Sequence, residues 1–96
     1  MNGDAGADFL AGSTGMDTIF GQDGNDFLLG DAGNDVLHGG NGDDELRGNV
    51  GTDELNGEAG ADFLNGGGDT GDICDGGLDT DTDSIVSNCE ISINVP

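Results

Sequence analysis

The 96-residue sequence has no tryptophan and no tyrosine, a single histidine, a single basic side chain (Arg47), and four phenylalanines as its only aromatics. So few large apolar groups leave little with which to build a conventional globular core. A formal charge of −20 against one arginine excludes a basic nucleic-acid surface, and it excludes adsorption to anionic lipid without a bridging cation. The chain shows no Ser/His/Asp set, no zinc motif and no phosphate-cradling loop, and one histidine supplies little acid–base machinery; catalysis is not expected of it. No apolar run is long enough to cross a bilayer as a helix, and no signal peptide or lipidation motif is visible. A route out of the cell would therefore depend on a removed presequence or a longer parent chain.

What is abundant is glycine (21) and acid (21). Composition alone would suggest disorder. The order of the residues argues otherwise. Residues 21–38 read GQDGNDFLL and then GDAGNDVLH, two nines of the form G-x-x-G-x-D-x-U-x, with U a large apolar residue. The phase holds for seven units without an insertion, opening at Gly3, Gly12, Gly21, Gly30, Gly39, Gly48 and Gly57. Sixth positions are Asp8, Asp17, Asp26, Asp35, Asp44, Asp53 and Asp62; eighth positions are Leu10, Ile19, Leu28, Leu37, Leu46, Leu55 and Leu64. Two glycines per nine allow two sharp bends, since glycine alone visits positive φ without steric cost. The last three residues must then be extended, which turns the eighth side chain to the opposite face from its neighbours and into the interior. Two nines, one strand out and one back, make an 18-residue coil, and coils stack at the strand spacing of ~4.8 Å. The expected fold is all-β: a parallel β-roll (β-solenoid) of about four to five coils, regular over residues 1–65 and irregular over 66–96.

This pattern resembles the haemolysin-type calcium-binding nonapeptide, the RTX repeat, with consensus GGxGxDxUx. It departs from the consensus at the second position, where Asp4, Ser13, Gln22, Asp31, Asn49 and Glu58 replace glycine and only Gly40 keeps it. Gln22 and Glu58 are poorly suited to positive φ. The energetics point the same way as the resemblance. Seven inward aliphatics are too few to order the chain, and they do not offset the mutual repulsion of 21 carboxylates. A multivalent cation bound only by the folded state would remove the repulsion and crosslink the turns. The donors on offer are hard oxygens in irregular loops, which suit calcium better than octahedral magnesium; one histidine and two late cysteines cannot form a zinc array.

Because each coil uses two units, the loops alternate between two edges. Asp8, Asp26, Asp44 and Asp62 fall on one edge, and Asp17, Asp35 and Asp53 on the other. The resemblance implies that each ion sits between consecutive loops of one edge, held by these aspartates and by the loop backbone opening at Gly3, Gly12, Gly21, Gly30, Gly39, Gly48 and Gly57. Three ions on one edge, two on the other and a sixth at the irregular eighth unit give about six or more Ca²⁺, which would bring the charge to about −8. Asp23 and Asp43, with Asp4 and Asp31, are further ligand candidates that could equally be solvated turn residues.

Seventh and ninth positions face solvent on a lone column. Phe9, Phe27 and Phe63 share one face with Glu45 interrupting, and Phe20, Leu29, His38 and Arg47 occupy ninth positions. The phenylalanines read either as cross-strand stacking or as a docking surface. After residue 65, Gly66–Asp75 keeps the repeat's grammar with one residue added, placing Asp72 and Cys74 in the roles of ligand and inward residue. Asp79, Asp81 and Asp83, with Glu90, read as acidic capping turns; a helix-free calcium loop is the alternative, but Ser84 stands where an EF-hand loop needs glycine. Cys74 and Cys89 flank this stretch, so that a disulfide would close it and form a cap; free thiols are the alternative. Paired cysteines and a demand for calcium point outside the cell. Residues 91–95 alternate as a short strand, able to cap the column or to add to the open N-terminal end of another copy.

Three functions are compatible with these features. One is a non-catalytic extracellular structural protein, rigidified by calcium and self-associating head to tail into a filament. A second is a calcium-triggered folding module of a larger secreted enzyme, toxin or adhesin. An ice-binding face ranks last, because Thr14, Thr18, Thr52, Thr70 and Thr80 share no repeat position. The expected partners are other copies of the chain, with no nucleic acid, membrane insertion or small-molecule substrate.

Overall fold

A computed structural model describes residues 1–68, 71–77, 84–86 and 89–93. Among them there are ten strands and no helix: β1 (Phe9–Ala11), β2 (Thr18–Asp23), β3 (Phe27–Leu29), β4 (Val36–Asn41), β5 (Glu45–Arg47), β6 (Glu54–Ala59), β7 (Phe63–Asn65), β8 (Asp72–Asp75), β9 (Ser84–Val86) and β10 (Cys89–Ile93). Odd strands form one sheet in the order β1-β3-β5-β7-β9, and even strands form the other in the order β10-β8-β6-β4-β2. All the pairings are parallel. This is the anticipated parallel β-solenoid, of about four turns.

Register follows the repeat. Leu10, Leu28, Leu46 and Leu64 align across the odd sheet, and Ile19, Leu37, Leu55 and Cys74 across the even one. Ile19, Leu28, Leu37, Leu46, Leu55, Leu64 and Cys74 are wholly buried and form the core, with Leu10 packed against them. Each buried aliphatic contributes ~1.5–3 kcal/mol, and a slip of one residue would turn the whole column out to solvent. Pairing steps by 18 residues until β8, where Glu54 aligns with Ile73. The one added residue falls between Gly67 and Gly71, so the loop absorbs it and Cys74 still enters the core column.

The second position is left-handed in every regular unit. Asp4, Ser13, Gln22, Asp31, Asn49 and Glu58 have φ between 71° and 77°, and Gly40 has 97°. Gln22 and Glu58 thus adopt a conformation that costs a non-glycine residue ~1–2 kcal/mol. The stack imposes it, because the carbonyls of Asp4, Ser13 and Asp31 accept from Asp23, Ala32 and Val50, each in the next coil.

The N-terminal end differs from the sequence expectation of an open end. Met1–Gly3 lies along β2, where Phe20 N–H donates to the Met1 carbonyl (2.8 Å) and Gly3 N–H to the Phe20 carbonyl (2.9 Å). These bonds satisfy backbone groups that an edge strand would otherwise leave unpaired, so the even sheet is partly covered there. The strand expected over 91–95 is present as β10. It runs parallel to β8, with a register shift between Cys89 and Ile91, and so caps the even sheet by continuing the stack. A disulfide joins Cys74 to Cys89, with Cα atoms 5.8 Å apart, and closes this last coil. Asp79, Asp81 and Asp83, and residues 94 and 95, lie outside the described residues.

On the odd sheet Phe9 and Phe27 stack at 5.1 Å. Glu45 interrupts the phenylalanine row, yet it holds Arg47 at 2.7 Å, and the guanidinium lies 5.8 and 5.6 Å from the Phe27 and Phe63 rings. The pair therefore bridges the gap in the row by cation–π contact. Phe20 stacks on His38 at 4.8 Å across the even sheet. The cross-strand stacking anticipated for exposed aromatics is present on both faces.

Candidate metal centre

Each sixth-position aspartate enters the interior at the point where loop becomes strand. The N–H of Asp8 donates to Oδ1 of Asp26 (2.8 Å), Asp26 to Asp44 (2.7 Å) and Asp44 to Asp62 (2.9 Å). On the opposite edge Asp17 donates to Asp35 (2.8 Å), Asp35 to Asp53 (2.8 Å) and Asp53 to Asp72 (2.7 Å). One oxygen of the Asp26, Asp35, Asp44, Asp53, Asp62 and Asp72 carboxylates is thus spent on aligning successive coils. The other, Oδ2, is buried and accepts no hydrogen bond in Asp8, Asp17, Asp26, Asp35 and Asp44. Asp26, Asp35 and Asp44 are only 3, 1 and 3% exposed. A buried carboxylate oxygen without a donor is costly unless something cationic meets it.

The opening glycines show what space that oxygen faces. A Cβ on Gly21 would stand 2.6 Å from Asp26 Oδ2 and 2.6 Å from the carbonyl oxygen of Gly39, one coil on. On Gly39 it would stand 2.6 Å from Asp44 Oδ2 and 2.8 Å from the Gly57 carbonyl, and on Gly3 2.8 Å from Asp8 Oδ2 and 2.7 Å from the Gly21 carbonyl. Carboxylate and carbonyl oxygens from consecutive coils therefore converge on the place a side chain would fill. Gly12, Gly30, Gly48 and Gly57 also abut the Oδ2 of their own unit's aspartate, at Asp17, Asp35, Asp53 and Asp62.

Electrostatics reinforce the point. Burial raises the pKa of Asp44 to about 6, opposed by the hydrogen bond from Asp26 and aided by the charges of Asp26, Asp43 and Glu58. Burial likewise raises Asp26 and Asp35, with Asp8 and Asp23 adding to the first and Asp17 and Asp31 to the second. Two carboxylates ~5 Å apart repel by about 3 kcal/mol at an effective dielectric constant of about 20. A row of them on each edge needs either protons or a cation.

The donor set decides which cation fits. It is all oxygen, with no sulfur or imidazole, and so selects hard ions. Among the described residues no three His, Cys, Asp or Glu side chains cluster as a metal site. Any ion must therefore draw on backbone carbonyls as well as on the aspartate pairs. Irregular sites of six to eight oxygens are what calcium accepts and magnesium resists.

The remaining candidates occupy other places. Asp23 is exposed and accepts from Asn41 Nδ2 (2.9 Å); Asp31 and Asn49 are matched similarly at 3.4 Å. Asp43 donates its N–H to Asn25 Oδ1 (2.8 Å) and accepts from Ala61 N–H (2.9 Å). Thr52 N–H donates to Asn34 Oδ1 (2.9 Å) in the same way. This fifth-position ladder was not anticipated. Its signal was available, since Asn25, Asn34 and Asp43 recur in one column of the repeat.

Fold and site together define a parallel β-roll whose turns are lined with acidic and carbonyl oxygens. The family model of the RTX calcium-binding nonapeptide repeat (4 copies) matches residues 2–37 and 38–71, and the chain belongs to that family. Its repeats bind Ca²⁺. No curated protein and no solved structure matches the chain.

Proposed function

We propose that the chain is a non-catalytic extracellular structural protein that binds about six calcium ions and depends on them for its shape. One observation carries this reading: two rows of buried aspartates face, one coil on, the carbonyl oxygens of the opening glycines. Asp8, Asp26, Asp44 and Asp62 would hold three ions, Asp17, Asp35 and Asp53 two, and Asp72 a sixth with Asp53. Calcium supplies the positive charge that lets adjacent carboxylates stay ionised while buried. The disulfide and the demand for calcium favour an oxidising, calcium-rich setting outside the cell. Head-to-tail association into a filament is part of the proposal: all strands run parallel, so the free edge of β1 has the polarity to continue the stack beyond β9.

Calorimetric titration of the calcium-stripped chain, followed in parallel by circular dichroism, tests the core of this reading. About six ions should bind, with a large gain of strand signal. A chain that melts cooperatively and identically before and after calcium removal would overturn it. Electron microscopy with millimolar calcium and with chelator tests association, which predicts filaments only in calcium.

A further inference from the structure

We propose that Asn25, Asn34 and Asp43 are positioning residues that rank the calcium sites, making three inter-coil sites tighter than the two nearest the first coil. The inference rests on the calcium reading above and goes beyond it by assigning unequal affinities.

Two stitches of opposite sense cross three of the gaps between loops. The sixth-position N–H donates forward, to the aspartate of the next coil. At the fifth position the next coil donates back: Asp43 N–H to Asn25 Oδ1, Ala61 N–H to Asp43 Oδ1 and Thr52 N–H to Asn34 Oδ1. The accepting oxygen also sits against the fourth-position glycine one coil on, where a Cβ on Gly42, Gly51 or Gly60 would lie 2.9, 3.0 or 3.1 Å from it. The residues that precede the two aspartates of the gap are thus joined to each other, and this bond adds to what an ion gains by ordering the two loops. Three gaps are stitched in this way, at Asp26/Asp44, Asp44/Asp62 and Asp35/Asp53.

Two gaps cannot be. At Asp8/Asp26 the fifth position is Ala7, and at Asp17/Asp35 it is Met16, which is 82% exposed. Neither side chain carries an oxygen, so neither can accept the N–H of Asn25 or Asn34 as the Asn25 side chain accepts that of Asp43. Loops without the stitch must be ordered by the ion itself, and that ordering is subtracted from its affinity.

The test is calcium calorimetry on the whole chain and on four variants, each shown by circular dichroism to reach the same calcium-saturated fold. The wild type should show a tight class of sites and a weaker one. Asp43→Ala should weaken one site of the tight class, that between Asp44 and Asp62, about fivefold, the worth of one ordinary hydrogen bond. Asp43→Asn keeps the accepting oxygen and should restore wild-type affinity within about twofold. Ala7→Asn and Met16→Asn should each move one weak site into the tight class. In calcium-loaded protein, slower amide exchange at Asn25 in Ala7→Asn would report the new stitch directly. Equal losses in Asp43→Ala and Asp43→Asn would make Asp43 a charged ligand and overturn the proposal, as would unchanged weak sites in Ala7→Asn and Met16→Asn. Absence of any calcium response in the wild type would instead sink the calcium reading on which it rests.

Discussion

At the scale of single residues, the site is a conflict held in place by packing. Asp44 is 3% exposed, stands between Asp26 and Asp62 in its row, and has its pKa raised by burial to about 6 from the usual 3.8. The calcium-free folded state therefore binds more protons than the unfolded state between those two values. Its stability is greatest at or below pH ~3.8, falls as pH rises through about 6 and is flat above. Asp26 and Asp35 shift in the same direction and add to the trend. Calcium reverses it, because an ion competes with the proton for the same oxygens. Calcium-stripped protein should show more strand signal by circular dichroism at pH 4 than at pH 7.5, while calcium-loaded protein should melt higher at pH 7.5. A calcium-free strand signal that rises with pH would show that these carboxylates are not desolvated.

At the scale of the turn and strand, the sequence exposed most of the plan, because the plan is local. Glycine at the first and fourth positions, Asp26 and Asp35 at the sixth, and Leu28 and Leu37 at the eighth are each explained within one nine. Even Cys74 was placed in the core column by counting one added residue. What stayed hidden depends on groups 18 residues away. The fifth-position ladder joins Asn25 to Asp43, the Arg47 bridge needs Phe27 and Phe63, and β10 finds its place only against β8. The left-handed second position belongs with these. Gln22 would not choose φ 76° alone; the hydrogen bond that Asp23 N–H makes to Asp4 O, one coil back, helps to hold it there. Relieving that strain should help. Gln22 is exposed, so Gln22→Gly removes no core contact, and a cost of ~1–2 kcal/mol for the left-handed residue exceeds the ~0.5–1 kcal/mol of added chain entropy. Chemical denaturation in calcium should show a gain of up to about 1 kcal/mol. A loss would mean that the side chain makes a contact worth more than the strain.

At the scale of the molecule, the chain is quasi-one-dimensional: strand pairing joins each coil only to its neighbours. Stability is then a sum over interfaces, and damage at one end should stay there. The disulfide provides the test. It ties β8 to β10 across a separation of 15 residues, and such a link contributes ~3 kcal/mol by restricting the unfolded chain. Cys74 closes the aliphatic column that Ile19, Leu37 and Leu55 begin, so reduction leaves the interior above it intact. In calcium, reduction should release β10 and expose the amides of residues 89–93 to exchange, while Leu37 and Leu55 keep their protection. Removing calcium from the reduced protein should then lose every coil, since the carboxylate rows run the length of the stack. Hydrogen exchange read residue by residue distinguishes this from the alternative, in which reduction in calcium unfolds β2 and β4 together with β10. That outcome would make the column a single cooperative unit, with its C-terminal coil as the keystone.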